Sequence, residues 1–139
     1  MLQRKGNVVA RVVKNTIAKT LRAEIYKTIK ENSLIYSDDW NYGNLSDKYR
    51  HSYVSHCYGV YGVGDVSTNA IEGFWSILKR GIIGVYHRVS KKHLQKYVDE
   101  FSWRYNQRKL PLQNTFTNVL DCLNHRVTYK DLIYANEKA

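Results

Sequence analysis

Asn69-Ala-Ile-Glu-Gly-Phe-Trp-Ser-Ile-Leu-Lys-Arg80 is the stretch whose reading decides the fold. Ile71, Phe74, Trp75, Leu78 and Ile82 recur at helical spacing, and Gly64, Ser67 and Thr68 just upstream offer a helix cap. The spacing predicts a helix that runs to about Ile83 and is ended by Gly84. Two helical turns separate Glu72 from Lys79, which returns them to within about 20° of one face. Apolar and aromatic neighbours around Glu72 predict a partly dry carboxylate, and Gly73 a close backbone approach. A dry carboxylate needs a cation or a chemical task. The plainer alternative is a solvated charged face beside a core stripe.

Working outward towards the N-terminus, Leu34-Ile35-Tyr36-Ser37 reads as a short apolar strand that ends in Asp38-Asp39. Before it, Lys19 to Lys30 places Leu21, Ile25 and Ile29 on one face of an amphipathic helix. Leu2 to Val13 reads as a hairpin, with Lys5-Gly6-Asn7 as turn and a β-branched run after it. Strand, strand, helix, strand is an α/β pattern, and ligands of such sheets bind outside the strand ends. Trp40 to Tyr49 reads as a short helix or an aromatic-rich loop, Tyr53 to Cys57 as another strand, and residues 58–66 as a Gly-rich loop.

Towards the C-terminus, Ser90 is the expected cap of a second helix with Leu94, Tyr97, Val98, Phe101 and Tyr105 as its buried stripe. Its other face carries Lys91, Lys92, Lys96, Arg104 and Arg108, until Pro111 breaks it. Thr115 to Asn124 and Thr128 to Tyr134 read as smaller helices that pack on the body.

A chain of 139 residues is long enough for one domain with a real core. The formal charge of +10 points to a phosphate-rich partner, nucleic acid first. Solubility alone would also account for it. The sequence has neither a membrane-length apolar run nor a signal-like N-terminus, so a cytosolic protein is expected. Cys57 and Cys122 lack paired spacing, which predicts reduced, mostly buried thiols and no structural zinc. His56, His87 and His93 lack metal-ligand spacing and are read as structural or phosphate-contacting. Tyr58, Tyr61 and Tyr86 are candidates for base stacking, with core or rim positions as the alternative. Asp38 and Glu72 are two carboxylates able to share a divalent metal beside a sheet edge, a weak signal by itself.

Ile35 to Asp39, Thr68 to Ile82, Tyr86 to Ser90, His93 to Phe101 and Arg104 to Arg108 together carry a resemblance. Nearly the whole chain resembles insertion-sequence DDE transposases of the ISXO type, whose catalytic domain is RNase H-like and related in fold to retroviral integrases. The resemblance implies an α/β mixed sheet with helices, one domain over residues 1–139, and transposition by metal-dependent phosphodiester cleavage and strand transfer. It implies Mg²⁺ or Mn²⁺ on Asp38 as the second acid and Glu72 as the third ligand, with Asn69 a rival for that place. Lys79 takes the place of a basic residue on the DNA backbone; given the net charge, Arg80, Lys91, Lys92, Lys96, Arg104 and Arg108 are expected to contact DNA too, with a solvated face as the alternative for the row from Lys91 to Arg108. The departure is at the N-terminus: no Asp precedes Asp38, and only Glu24 and Glu31 are acidic before it. The family's first strand, with its Asp, is therefore expected to be missing, as is its N-terminal recognition region. From this follow a chain unable to cut DNA alone, a possible upstream fragment supplying the strand, and homo-oligomers formed through the open edge. Bacterial cytoplasm at the nucleoid is the expected location. Two alternatives stand beside this reading: a non-catalytic basic nucleic-acid-binding module, and a structural domain whose charge serves only solubility.

Overall fold

The computed structural model describes residues 1–38, 42, 45–53, 62–63, 66–123 and 128–130, with backbone alone at 62–63 and 66–67. In chain order its elements are α1 (Ala18–Thr28), β1 (Leu34–Ser37), β2 (Arg50–Tyr53), β3 (Gly62–Val63), β4 (Val66–Ser67), α2 (Asn69–Gly81), a π-helical turn (Ile82–Tyr86), α3 (Leu94–Gln107) and α4 (Leu112–Cys122). Strands β1 and β2 pair in parallel, from Leu34 opposite Arg50 to Ser37 opposite Tyr53. Strands β3 and β4 form a minimal antiparallel pair. Helices around a small parallel sheet make an α/β arrangement.

The N-terminal turn forms where expected, but the long hairpin does not. Val9 N–H donates to Met1 C=O (2.8 Å) and Gln3 N–H to Asn7 C=O (2.9 Å), which leaves Leu2 opposite Val8 as a single antiparallel bridge. Amide side chains of α3 take the place of a neighbouring strand along the next residues. Asn106 accepts from Val8 N–H (2.7 Å) and donates to Val8 C=O (3.0 Å). Gln95 accepts from Val12 N–H (2.7 Å) and donates to Ala10 C=O (3.3 Å). The β-branched run stays extended because helix side chains complete its backbone hydrogen bonds.

Among the described residues, two apolar clusters make the core. Val8, Ala10, Phe74, Leu78 and Val98 join the N-terminal segment to α2 and α3, with Ile71, Ile82, Leu94, Phe101 and Tyr105 packed around them. Ile25, Leu45 and Tyr49 join α1 to the segment before β2, with Ile29 and Ile35 against them.

Gly84 does not end the central helix. Helical backbone continues through the π-helical turn to Tyr86, and the chain reverses at His87, whose φ of 56° is left-handed and whose Nδ1 lies 3.1 Å from Ile83 C=O. The glycine that matters is Gly81: a β-carbon there would lie 2.0 Å from Phe101 Cζ. Gly81→Ala is expected to destabilise the chain by about 1–3 kcal/mol, because overpacking must push the Phe101 ring off the helix. Urea denaturation of Gly81→Ala checks this, and the Phe101→Leu background should recover part of the loss.

His93, not Ser90, precedes the first turn of α3, and no side chain caps it. Ser90 C=O instead accepts from His93 N–H (3.1 Å) in a preceding turn. Val98 and Ser102 are the buried residues of this helix, while the rest of the expected stripe is half-buried. Tyr86 is engaged in packing: its hydroxyl donates to Glu100 (2.7 Å) and its ring meets Tyr97 edge-on at 4.6 Å. Strand β2 starts earlier than the expected Tyr53, and residues 54–57 lie outside the described residues, as do His56, Tyr58 and Tyr61. Helix α4 begins directly after Pro111; none of its residues is fully buried, but Thr115 and Asn118 are half-buried and the Asn118 amide donates to Gln107 Oε1 of α3 (3.1 Å), so its packing on the body is light. Leu112, Phe116 and Leu123 are exposed, and so is Cys122, expected to be buried; Cys57 lies outside the described residues. Of the stretch from Thr128 to Tyr134, only 128–130 are described, with 129–130 helical. Among the described residues, no helix is long and apolar enough to cross a membrane.

Candidate functional site

Between the two apolar clusters lies a cavity of about 870 Å³. All of β1 lines it together with Asp38, and so do residues of the N-terminal segment, of α1 and of the start of α2. Asp38 enters from the end of β1 and Glu72 from the first turn of α2, so the two expected carboxylates open into one cavity. Neither Asn69 nor Lys79 lines it.

Local bonding explains where the two acids sit. Ser37, buried at the strand end, places its hydroxyl 2.8 Å from His51 Nε2 and donates to Asp38 C=O (3.1 Å). The Tyr42 hydroxyl donates to Asp38 Oδ1 (3.2 Å). Burial, the Asp38 charge and that hydrogen bond push the Tyr42 phenol up to about 12, so it stays a donor to Asp38 at neutral pH. Thr68 occupies the N-cap position of α2 without capping it. Its buried hydroxyl donates to Glu72 Oε1 at 2.7 Å. A carboxylate in a first helical turn is also favoured by the unpaired amides there.

Two expectations about Glu72 are corrected. Its side chain is exposed, not partly dry, because the apolar neighbours Phe74 and Ile71 turn away to the core. Nothing approaches Gly73, where an added β-carbon would meet open space. Asp38 is exposed as well. Among the described residues no three His, Cys, Asp or Glu side chains converge to hold a metal. What the cavity offers is a pair of hard oxygen donors, which suits an ion such as Mg²⁺ that keeps several waters and takes one or two carboxylates plus substrate phosphates.

Of the cations expected to contact DNA, Arg108 lines this cavity and the others do not. Lys79, Arg80, Lys91, Lys92 and Lys96 are exposed. Arg104 is paired with Glu100 at 2.7 Å. Arg108 is committed to the protein's own backbone: it donates to Tyr105 C=O (2.7 Å) and Gly6 C=O (3.0 Å) and lies over the Tyr105 ring at 3.9 Å. It clamps α3 to the N-terminal turn, which leaves fewer donors for a phosphate. Sequence reading missed Tyr42, His51 and Arg4; the Arg4 guanidinium sits 5.3 Å from the centre of the Tyr36 ring at the cavity wall. No periodicity signals these three: His51 and Arg4 act through partners on β1, and Tyr42 through Asp38 four residues back, outside any helix or strand.

A family model described as ISXO2-like transposase domain matches residues 1–106. A Haemophilus influenzae protein, named an uncharacterized transposase-like protein, is 26% identical to the chain over 111 residues, covering 78% of this chain and 89% of that relative. No solved structure matches the chain.

Proposed function

Since the chain belongs to the ISXO2-like transposase domain family, we propose that residues 1–139 form one RNase H-like catalytic domain that works on DNA phosphodiesters during transposition of an insertion sequence. Asp38 and Glu72 are its metal-holding carboxylates for Mg²⁺ or Mn²⁺. Two such ions, when bound, would stabilise the attacking and leaving oxygens of an in-line displacement. Asp38 is oriented for this by Tyr42 and Ser37, and Glu72 by Thr68. Lys79, two turns beyond Glu72, lies against the DNA backbone, and Arg80, Lys91, Lys92 and Lys96 extend the phosphate contact. Arg104 and Arg108 contribute less, being held by Glu100 and by backbone carbonyls. The single observation that carries this reading is the opening of Asp38 and Glu72 into one cavity at the end of a parallel strand.

Among the described residues no third carboxylate joins these two to hold a metal. Glu24 also lines the cavity but is paired with Lys27 at 3.0 Å. On this reading the chain by itself binds DNA without cutting it; Mg²⁺- or Mn²⁺-dependent cleavage or strand transfer by the isolated chain would reject this. The same shortfall favours a second reading, a basic nucleic-acid-binding module without chemistry.

DNA affinity tests both against a purely structural domain. With about five phosphates neutralised, log K should fall against log salt with a slope of about −4.5. Replacing Lys91, Lys92 and Lys96 by Gln should flatten that slope by about 3. An affinity indifferent to salt would remove nucleic acid as the partner.

A further inference from the structure

Helix α4 carries an apolar face that the described residues leave open to solvent. Leu112, Phe116, Val119, Leu120 and Leu123 are all exposed, Leu112 at 85% and Leu123 at 70%. Thr115 and Asn118, which turn to the body, lie roughly 100° round the helix from that face. The five side chains present roughly 600 Å² of apolar surface, the upper end of what a soluble monomer leaves in one patch. The helix also needs a cover for its own sake. It has 11 residues, no side-chain cap, and Asn or Thr at positions 114, 115, 117 and 118. A helix of that length and composition is marginal unless its apolar face is buried.

We propose that α4 pairs with α4 of a second copy, antiparallel about a two-fold axis that passes between Phe116 and Val119. Leu112, Phe116, Val119 and Leu123 follow one another at intervals of four, three and four, the alternation of a helix-pairing seam. Those intervals read the same in either direction. A reversed copy therefore sets Leu112 against the partner's Leu123 and Phe116 against the partner's Val119, which makes the patch self-complementary. Reversal also places the two helix dipoles head to tail. Charge selects the same occupant. The chain is +10, yet α4 has no Lys or Arg, and its one charge, Asp121, lies on the face opposite the seam. Gln113, Thr115 and Cys122 flank the seam without charge, so two copies meet there without repulsion, whereas DNA or an acidic protein finds no cation. Beside Leu112, a groove of about 250 Å³ lined by Trp103, Leu110 and Thr115 gives the partner's Leu123 a seat. The pair covers about 1,200 Å² in all, the lower limit of specific interfaces, so its affinity is expected to be micromolar. This seam is on a helix, not on the open sheet edge to which the sequence points.

Sedimentation velocity of the full chain from about 1 to 100 µM tests this, with a monomer–dimer equilibrium expected. A monomer throughout would overturn the pairing. Phe116→Lys and Val119→Glu, both at exposed positions, should each weaken the dimer about thirtyfold or more by leaving a charge unpaired in the seam. Asn114→Lys, on the far face of α4, should change it by less than about twofold. A mixture of the Phe116→Lys and Val119→Glu chains should dimerise again, because the antiparallel register sets ammonium against carboxylate. A dimer that survives Phe116→Lys would move the contact to another face, and single variants that stay apart when mixed would remove the antiparallel register; either result overturns the proposal. Hydrogen exchange in α4 should slow about tenfold as concentration rises through the dimerisation range. Protection already complete at the lowest concentration would mean that the chain covers the face itself, and would overturn the proposal too. Added salt screens two +10 chains and should leave the dimer as tight or tighter, while DNA affinity falls. The pairing needs neither DNA nor metal, so its failure leaves the transposase reading standing, and failure of DNA binding leaves the pairing standing.

Discussion

Phe74→Ala is expected to lower the unfolding free energy by about 3–5 kcal/mol, a third or more of what a domain of this size ordinarily possesses. Phe74 has no exposed surface, and it is the residue on which three segments meet: Val8 and Ala10 from the N-terminus, Leu78 of its own helix and Val98 of α3. Its ring also packs edge-on against Tyr105 at 5.4 Å and tilted against Trp75 at 5.1 Å. Truncation removes the burial of the ring and leaves a void that helices held by backbone hydrogen bonds cannot collapse to fill. Trp75→Ala, next in sequence but exposed on the cavity side, should cost markedly less. Chemical denaturation of the two variants side by side is the check. Equal losses would mean that the two half-cores are not separate, since Trp75 would then carry as much packing as Phe74.

The second large effect concerns the metal. Asp38→Ala and Glu72→Ala should each weaken Mn²⁺ binding about tenfold or more, which is the scale reached even by residues that merely support a ligand. Both side chains are exposed, so their removal should leave the fold intact, as circular dichroism would verify. The double variant should be little worse than either single one, because ligands to one ion act as a unit and their losses do not add. Asn69→Ala is the informative control. Asn69 stands one turn before Glu72 but does not line the cavity, and its loss should leave Mn²⁺ affinity within about twofold. Loss of affinity in Asn69→Ala with retention in Glu72→Ala would transfer the third-ligand role to the amide. Titration followed by electron paramagnetic resonance of Mn²⁺ reads all four.

Where prediction and structure part company, the cause is long-range pairing. The run Val8 to Val13 has strand propensity, but its hydrogen-bond partners are Gln95 and Asn106, more than eighty positions away. Gly84 has the chemistry of a helix stop, yet the turn around it is held by Tyr86, whose partners Tyr97 and Glu100 belong to the next helix. Glu72 looked shielded in sequence because its neighbours are apolar, whereas on a helix those neighbours turn to the core and leave it in water. His51 escaped notice because its partner Ser37 is brought near only by the parallel pairing of β1 and β2, and Tyr42 because its bond to Asp38, four residues back, lies outside any regular element whose periodicity would mark it.

By itself the sequence determined the positive charge, the strand ending in Asp38, the helices around Phe74 and Val98, and the family to which residues 1–106 conform. These are local matters of periodicity, composition and motif, and they need no knowledge of what lies across the core. Only the tertiary structure decided that the core is split in two, that Asp38 and Glu72 open into the gap between the halves, and that Arg108 is occupied with the protein's own carbonyls. A cavity between two clusters depends on how distant segments are placed relative to one another, and no single segment carries a record of it.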